Sequence, residues 1–480
     1  MNTLVEHQDE LFIAGRWERP LGDARVDVIN PFDESVVASL PLPSVADAAI
    51  AVEAAHKAFP AWDALGLQGR REIVGRWCDA LTERKDDIVK MWALEAGVPV
   101  TDGAALTDAM TAMFADTMAI SETMQLSEVR ETSFGRVEVR HEGVGPTVAI
   151  LTYNGPHDEF AESVVPAMLA GNTFILKLPP ENRLLGYVFA AAAEAAEFPP
   201  GVVSILAGEA DVSQYLVEHP DVAAVHFTGG TEIATRVLKS TADRIARVAL
   251  ELGGKSAAII AKDADLDSTI PHIVSSWGMY SGQICIAMTR VLVDRTIYDD
   301  VCRRLVAGMA ELRMGDPLDP DTQWGPLAAS RVRDRAEGYI SRAQAEGATL
   351  AYGGNRPAGF EKGWFLEPTV FTDVSNKMEV ARSEIFGPVY VVIPFDDIDE
   401  AVEIANDSPY GLAGCVFSTD MALATDVSHR VQVGVFAING TFPNLGGPFG
   451  GVKQSGFGRA CGPEGILELT NVKAIALPPE

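Results

Sequence analysis

The sequence predicts an α/β protein with parallel sheets, because short β-rich runs alternate with longer helical patterns along the chain. Its composition agrees with a folded protein, since 47% of the residues are hydrophobic and 22% are charged. With 480 residues the chain exceeds one ordinary hydrophobic core, so we expect two or three domains.

The first series of predicted elements lies between residues 146 and 230. Its strand segments are short, apolar and bounded by turn residues, and one of its helical segments is rich in alanine. The order strand, helix, strand, helix, strand and turn is typical of half of a nucleotide-binding fold. In chain order, the sequence predicts strands 146–154 and 172–179, helix 184–198, strand 201–208, helix 211–220 and strand 222–230.

A second series, from about 254 to 450, indicates a separate α/β domain. It contains a predicted strand at 290–294, a helix at 297–313 and a strand at 389–395. Outside both series, segments 134–145 and 469–478 have the character of exposed strands. Because exposed strands promote association unless another chain covers them, we interpret these two segments as a dimerisation surface.

Charge and cysteine usage narrow the class of protein. The formal net charge of -29 opposes binding to nucleic acid and to anionic membranes. Five cysteines without a CxxC pair indicate neither a zinc site nor a disulfide framework, and reduced thiols fit the cytoplasm. The amino terminus lacks the pattern of a signal peptide, and no apolar stretch approaches the ~20 residues that cross a bilayer. We therefore expect a soluble cytoplasmic protein.

A single cysteine, Cys285, stands in the stretch SGQICIAMTR between a Gly-Gln pair and apolar residues. Free cysteines are usually buried and inert, so this thiol fills a core in one interpretation. In the other it is a nucleophile prepared by its surroundings. The local pattern alone leaves both interpretations open.

Three further segments contain candidate functional residues. In FTGGTEIATRV, Gly229 and Gly230 link a strand to a helix whose amino terminus suits a pyrophosphate, although an ordinary strand–turn–helix junction has the same pattern. In LELGGKS, Glu251 is either a buried general base or a solvated strand-end residue. Asn154 follows a predicted strand and is either an oxyanion donor or a turn asparagine.

The ending Gly-Lys-Ser of LELGGKS is similar to a P-loop, but the required glycine is missing because Ala249 occupies its position. The spacing therefore excludes a kinase or ATPase of that class.

Nine motifs together resemble the aldehyde dehydrogenase superfamily, in its hydrolytic, NAD(P)-dependent branch. Each is weak alone, but nine in the family's order along nearly the whole chain are hard to attribute to chance. They are LFIAGRW, NPFDESVVASLP, YNGP, LKLPPE, FTGGTE, LELGGKS, GQIC, EIFGP and PFGGVKQSGFGR.

The resemblance implies a Rossmann-type nucleotide-binding domain, an α/β catalytic domain and a small β-extension that joins subunits into a homodimer or homotetramer. It places the nucleotide-binding domain at 1–121 and 142–252, the catalytic domain at 253–451 and the oligomerisation extension at 122–141 and 463–480. It also implies NAD as cofactor, a small-molecule aldehyde as substrate and no metal.

The resemblance further assigns roles to individual residues. It makes Cys285 the nucleophile, Asn154 the oxyanion amide and Glu251 the base that activates water to hydrolyse a thioester. For the cofactor it implies Lys177, Gly229, Gly230, Glu384 and Phe386. The alternatives are a CoA-acylating relative, which the presence of Glu251 disfavours, and a catalytically silent structural relative.

Two departures from the family pattern concern specificity. Where many NAD-specific members have a glutamate three residues after the lysine, this chain has Pro180 and then Glu181. The missing glutamate removes one barrier against binding NADP. No basic cluster replaces it, with Arg183 as a candidate exception, so NAD is favoured as the cofactor.

The second departure follows Asn154, where the segment GPHDEFAES has acidic residues in place of the usual apolar tunnel lining. In one interpretation these acids are solvated on an exposed or rotated helix. In the other they form an acidic entrance that favours cationic or polyhydroxylated aldehydes. The candidate tunnel residues are Gly155, Asp158, Glu159, Glu162, Phe442 and Phe449, of which the two phenylalanines are equally compatible with core packing.

Overall fold

A computed structural model describes residues 5–478 of the chain. In chain order its strands are β1 (Leu11–Ile13), β2 (Arg16–Glu18), β3 (Arg25–Ile29), β4 (Val36–Pro41), β5 (Ser127–Thr132), β6 (Gly135–Gly143), β7 (Pro146–Ile150), β8 (Thr173–Lys177), β9 (Val203–Leu206), β10 (Ala224–Gly229), β11 (Arg247–Leu252), β12 (Ala257–Ile260), β13 (Arg290–Asp294), β14 (Thr349–Tyr352), β15 (Thr369–Thr372), β16 (Val389–Phe395), β17 (Ala413–Phe417), β18 (Val435–Ile438), β19 (Gly456–Phe457) and β20 (Thr470–Ala476).

The helices surround these strands. In chain order they are α1 (Val45–Ala64), α2 (Gly66–Thr82), α3 (Lys85–Ala96), α4 (Val100–Thr123), α5 (Pro156–Glu159), α6 (Val165–Leu169), α7 (Arg183–Ala195), α8 (Ala210–Glu218), α9 (Thr231–Thr241), α10 (Leu266–Gly278), α11 (Tyr298–Ala310), α12 (Ser330–Ala345), α13 (Glu379–Arg382), α14 (Ile398–Asn406), α15 (Met421–Arg430) and α16 (Gly462–Glu468).

The first large sheet has the strand order β19-β11-β10-β7-β8-β9-β1-β2. Strands β7 to β11 are parallel, with β7 in the middle, and the chain changes direction across the sheet between β7 and β10. In open parallel sheets, ligands bind beyond the carboxyl ends of the strands at such a switch point. The topology therefore directs the ends of β7, β8, β10 and β11 toward one site.

The strands of this sheet are apolar because both faces of the sheet are covered. Every residue of β7 and β8 is buried, and strands buried on both faces are read as continuous apolar runs rather than alternating ones. The register places Ile150 beside Lys177, and Thr228 beside Glu251. Lys177 and Glu251 thus lie at or near the carboxyl ends of their strands.

The second large sheet has the order β14-β15-β16-β13-β12-β17-β18, in which only the β14 pairing is antiparallel within the described chain. Its strands 290–294 and 389–395 have the bounds that the sequence predicts. All strands of this sheet lie between residues 257 and 438, inside the segment expected to form a catalytic domain.

A three-stranded antiparallel sheet, β20-β6-β5, contains both segments expected to be exposed strands. Val129 on β5 and Val472 and Ile475 on β20 expose large apolar side chains. A further two-stranded sheet pairs β3 with β4. The division of the chain into three parts with the predicted boundaries stays a prediction.

The helical segment from Pro156 to Leu169 is interrupted by a π-helical turn at Phe160–Val164. Pro166 lacks the N–H that would bond to the carbonyl of Glu162, and that carbonyl instead accepts a hydrogen bond from the N–H of Cys461 at 2.9 Å. The N–H of Val165 donates to the carbonyl of Phe160, five residues back. The wider turn lies in the segment that carries the acidic residues.

No helix within residues 5–478 is long and apolar enough to cross a bilayer.

Candidate active site

A cavity of about 580 Å³ lies at the carboxyl edge of the first sheet, and its walls also include segments that precede and follow strands of the second. This volume is in the range of small-molecule and cofactor sites. All fourteen residues proposed from the sequence contribute to its wall: Asn154, Gly155, Asp158, Glu159, Glu162, Lys177, Gly229, Gly230, Glu251, Cys285, Glu384, Phe386, Phe442 and Phe449.

Cys285 lies in the loop between α10 and β13 and is partly buried. Just before it, Tyr280 and Ser281 adopt positive φ angles of 46° and 50°, a strained conformation that the surrounding structure must hold in place. Buried Gln283 holds the loop, because its amide donates to the carbonyl of Tyr280 and its oxygen accepts from the N–H of Ala328 at 3.1 Å.

The surroundings of Cys285 are acidic. Burial raises the pKa of its thiol well above the ordinary value, and the nearby carboxylates of Glu162, Glu159, Glu384 and Glu251 raise it further. These surroundings favour the neutral thiol, so forming a thiolate requires either a base or a cation close to the sulfur.

Glu251 is buried near the end of β11. Its Oε2 has no hydrogen-bond partner within the described chain. Burial raises the pKa of this carboxyl well above the ordinary value, the nearby Glu162 raises it further, and Arg459 opposes the shift. A carboxyl of this kind is suited to accept a proton during a reaction.

Asn154 follows β7 in a short turn, where the preceding residue, Tyr153, is anchored because its carbonyl accepts a hydrogen bond from the indole N–H of Trp92 at 2.8 Å. The amide oxygen of Asn154 lies 2.6 Å from the hydroxyl of Thr152. Its nitrogen has no protein acceptor within residues 5–478, and the residue lines the cavity.

One end of the cavity has the features of a nucleotide site. Gly230 precedes α9, and a Cβ atom there would meet nothing within 4 Å, so the exposed N–H groups of the helix are accessible. The hydroxyl of Thr228, at the end of β10, is buried without a partner in the described chain. Burial lowers the pKa of Lys177 to about 8.

Glu384 and Phe386 approach the same cavity from the segment before β16. Glu384 accepts a hydrogen bond from the N–H of Gly254 at 3.2 Å, and burial raises its pKa to about 7. Phe386 has a positive φ of 59°, and its ring packs edge-on against that of Tyr153. The chain thus accepts strain to place an aromatic ring at the cavity wall.

Two of the three acidic residues after Asn154, Glu159 and Glu162, are buried, and Asp158 is half-buried. Glu159 and Glu162 are only 6% and 8% exposed, and Asp158 keeps one carboxylate oxygen buried without a partner. The carboxylate of Glu162 has no hydrogen-bond or ion-pair partner anywhere in residues 5–478. The acids are therefore part of the cavity wall, and burial raises the pKa of each, in the case of Glu162 to about 8.

Some wall residues carried no signal in the sequence. Thr152 follows a strand as an unremarkable polar residue, and Arg331 and Arg335 lie on α12 with no motif around them. Glu181, which stands one position after the place of the family's glutamate, lines the cavity and pairs with Arg331. Arg183, the candidate phosphate ligand, instead pairs with Glu209 and is not part of the wall.

Within the described chain no group of three or more His, Cys, Asp and Glu side chains is arranged to hold a metal ion.

The chain is similar to known proteins over nearly its whole length. The sequence model of the Aldehyde dehydrogenase family matches residues 17–475. A geranial dehydrogenase of Castellaniella defragrans is 37% identical over 477 residues, covering 98% of this chain and 99% of the relative. A chloroplastic betaine aldehyde dehydrogenase of Atriplex hortensis is 33% identical over 480 residues, covering 97% of this chain and 95% of the relative.

Among solved structures, a Mycobacterium tuberculosis aldehyde dehydrogenase complexed with NAD+ matches with a TM-score of 0.95 at 38% identity, covering 98% of both chains. This chain therefore belongs to the aldehyde dehydrogenase family. The fold prediction is confirmed, and so is the prediction of an NAD(P)-dependent aldehyde dehydrogenase.

Proposed function

We propose that this protein oxidises an aldehyde to a carboxylic acid with NAD+, through a covalent intermediate on Cys285 that water hydrolyses. The observation that supports it is one cavity whose wall includes a cysteine, a buried carboxyl oxygen without a partner and an amide nitrogen without an acceptor in the described chain. Nucleophile, base and oxyanion donor are the parts that acyl chemistry of this kind needs.

The residues divide the reaction into two stages. The sulfur of Cys285 bonds to the aldehyde carbon while its proton passes to a base, for which Glu251 is the candidate. The side-chain amide N–H of Asn154 stabilises the new oxyanion, and a donor of this kind typically contributes ~3 kcal/mol. After hydride leaves the carbon, a thioester remains on the sulfur. Glu251, having released the thiol proton to solvent, then accepts a proton from water as the hydroxide bonds to the thioester carbon. The C–S bond breaks, the acid leaves, and the sulfur takes the proton back from Glu251.

NAD+ would supply the hydride acceptor. The residues present fit it: the accessible amino terminus of α9 beyond Gly230 suits a pyrophosphate, the buried hydroxyl of Thr228 lacks a partner, and Lys177 and Glu384 offer polar groups for riboses. Phe386 supplies an aromatic wall for the ring. The Mycobacterium tuberculosis structure, which matches 98% of this chain, holds NAD+.

The test is turnover with NAD+ and an aldehyde panel, followed through reduced-cofactor absorbance, with Glu251→Gln as the diagnostic variant. We expect that variant to give a stoichiometric burst of reduced cofactor and then to stall at the thioester. Wild-type steady turnover in Glu251→Gln would mean that the assigned base is wrong. Signal only after CoA addition would indicate acyl transfer to CoA, and silence throughout would indicate a catalytically silent relative.

The acidic wall supports a proposal about the substrate. Glu162 is buried near Cys285, and its carboxylate meets no protein donor in the described chain. Half-buried Asp158 keeps one carboxylate oxygen without a partner there, whereas alkyl chains would be better served by apolar residues. A cationic group bound beside these carboxyls favours their ionised forms and offsets the repulsion between the two carboxylates. We therefore infer that the preferred aldehyde carries an amino or ammonium group.

To test the substrate class, kcat/KM is compared for an ω-aminoaldehyde, an alkanal of equal length and a polyhydroxylated aldehyde. We expect the aminoaldehyde to be preferred by at least about tenfold, since a close charge pair contributes more than ~1.4 kcal/mol when desolvated. The preference should fall in Glu162→Gln. A preference for the alkanal contradicts the proposal, and a preference for the polyhydroxylated aldehyde assigns the acids to hydroxyl recognition instead.

The three-stranded sheet supports association into a homodimer or homotetramer. Val472 is 64% exposed and lies on the edge strand β20, and isolated edge strands with apolar side chains are usually covered by another chain. The subunit number is measured by light scattering, where a monomer at micromolar concentration would contradict this. The cytoplasmic location stays a prediction.

A further inference from the structure

The hydroxyl of Thr152 connects two cavity residues. Its Oγ1 lies 2.6 Å from the amide oxygen of Asn154 and is also hydrogen-bonded to Oε1 of Glu159. The backbone N–H of Thr152 donates to the other carboxyl oxygen of Glu159 at 2.7 Å. These three residues form a short chain of hydrogen bonds that ends at the Asn154 side chain.

The number of protons in this chain is limited. A threonine hydroxyl has one proton, so Oγ1 donates to one of its two neighbours and accepts from the other. The amide oxygen of Asn154 has no proton to give. With the amide oriented as in the structure, Thr152 therefore donates to Asn154, and the carboxyl of Glu159 is protonated and donates to Thr152.

The other arrangement reverses the chain. If Glu159 is ionised, its carboxylate accepts the hydrogen bond from the Thr152 hydroxyl. Oγ1 must then accept a hydrogen bond from the Asn154 side chain. The amide must turn so that its nitrogen faces Thr152 and its oxygen faces the cavity. An oxygen there repels a developing oxyanion, whereas the nitrogen stabilises it.

We propose that Glu159, acting through Thr152, is a positioning residue that keeps the Asn154 amide nitrogen turned toward the reacting carbon. This inference rests on the proposed function, in which that nitrogen holds the oxyanion. Neither Thr152 nor Glu159 needs to touch the substrate for this role.

The surroundings of Glu159 favour its protonated form. Burial raises its pKa well above the ordinary value, the hydrogen bonds from Thr152 oppose the shift, and Glu162 and Asp158 on the same helical segment add to it. Glu251 and Cys285 also interact electrostatically with Glu159. His157 lies 3.7 Å from the Asp158 carboxylate, and burial keeps it neutral by lowering its pKa to about 3. The further titratable groups that interact with Glu251, Cys285 or Cys461 are those of Glu384, Arg459, Glu468 and Asp116.

Four variants test the chain of hydrogen bonds. Thr152→Val removes the hydroxyl at nearly constant volume, and we expect kcat to fall by about tenfold to a hundredfold, less than the ~10²–10³ typical of deleting an oxyanion donor. Thr152→Ser should restore most of kcat. Glu159→Gln keeps a donor toward Thr152 and should retain kcat near neutral pH, whereas Glu159→Leu should behave like Thr152→Val.

Two further measurements distinguish a positioning role from a role in keeping the site folded. In the wild type we expect kcat to decline at high pH as Glu159 ionises, and this decline should disappear in Glu159→Gln, which cannot ionise. In an Asn154→Ala background, Thr152→Val should have no further effect, because the group that it orients is gone. The affinity for NAD+, measured by fluorescence quenching, reports whether each variant has kept the folded site.

Several results would overturn the inference. These are wild-type kcat in Thr152→Val, equal losses in Thr152→Ser and Thr152→Val, equal losses in Glu159→Gln and Glu159→Leu, or additive effects of Thr152→Val and Asn154→Ala. Failure of the proposed function itself has a different signature, since Cys285→Ala or Asn154→Ala would then retain full activity.

Discussion

Gly253 and Glu384 are packed so closely that a Cβ atom on residue 253 would lie 1.7 Å from Oε1 of Glu384. The neighbouring N–H of Gly254 donates to the same oxygen at 3.2 Å. The backbone after β11 thus fixes the carboxylate of a residue that reaches the cavity from the segment before β16. Glycine at position 253 is required by this approach, because any side chain would displace Glu384.

Gly253→Ala should therefore impair cofactor binding more than folding. We expect KM for NAD+ to rise by at least about tenfold, which corresponds to the loss of ~1.4 kcal/mol of binding, close to one hydrogen bond to a charged group. Steady-state kinetics with varied NAD+ measure it. Gly22→Ala is the control, because a Cβ there meets nothing within 4 Å. An unchanged KM would show that Glu384 does not contact the cofactor.

Glu181 should bias the enzyme against NADP+. It lines the cavity, pairs with Arg331 and keeps one buried oxygen without a partner in residues 5–478. Its carboxylate repels a 2′-phosphate, and removing the charge also frees Arg331 to bind that phosphate. We expect Glu181→Gln to raise the ratio of kcat/KM for NADP+ over NAD+ by about tenfold or more.

The matched control for that experiment is Glu209→Gln, since Glu209 also pairs with an arginine, Arg183, but does not line the cavity. A ratio that moves equally in both variants would show that general charge, rather than the position of Glu181, sets cofactor preference.

Cys285 should be the only cysteine needed for turnover. Cys285→Ala removes the atom that forms the covalent bond, so activity should fall to background while thermal unfolding stays near that of the wild type. Cys302→Ala is the control, because Cys302 lies on α11, is also partly buried and does not line the cavity. Residual turnover in Cys285→Ala above a few per cent would contradict covalent catalysis.

The sequence predicts the parallel sheets and most of the cavity wall for one physical reason. Strands buried on both faces are apolar runs, so the polar residue that ends each run, such as Asn154 or Lys177, is conspicuous, and parallel topology brings those ends together. The bounds of strands 290–294 and 389–395 follow directly from such runs.

The remainder depends on contacts that local patterns do not encode. Glu181 meets Arg331 across 150 residues of chain. The contact of Thr152 with Glu159 joins the end of β7 to the helical segment that follows, whose π-helical turn arises because Pro166 frees a carbonyl that distant Cys461 satisfies. Sequence periodicity could therefore not decide whether the acidic residues after Asn154 are buried or solvated.

Glu162 should control the reactivity of Cys285. After burial, Glu162 is the largest contributor to the raised pKa of the Cys285 thiol, and its own pKa, about 8, means that it is ionised in the alkaline range where that thiol titrates. Glu162→Gln removes this negative charge, so the thiolate should form at lower pH.

The measurement is the rate of alkylation of Cys285 by iodoacetamide as a function of pH, with the site of labelling identified by mass spectrometry. We expect the midpoint of the profile to move down by about one pH unit in Glu162→Gln, a shift typical of removing one nearby like charge. Below the midpoint, alkylation is then roughly tenfold faster than in the wild type. Glu122→Gln, on the exposed end of α4, should leave the profile unchanged. A midpoint that stays fixed or rises would mean that Glu162 points away from the sulfur, and the acidic wall would then have no role in holding Cys285 neutral until a cation binds.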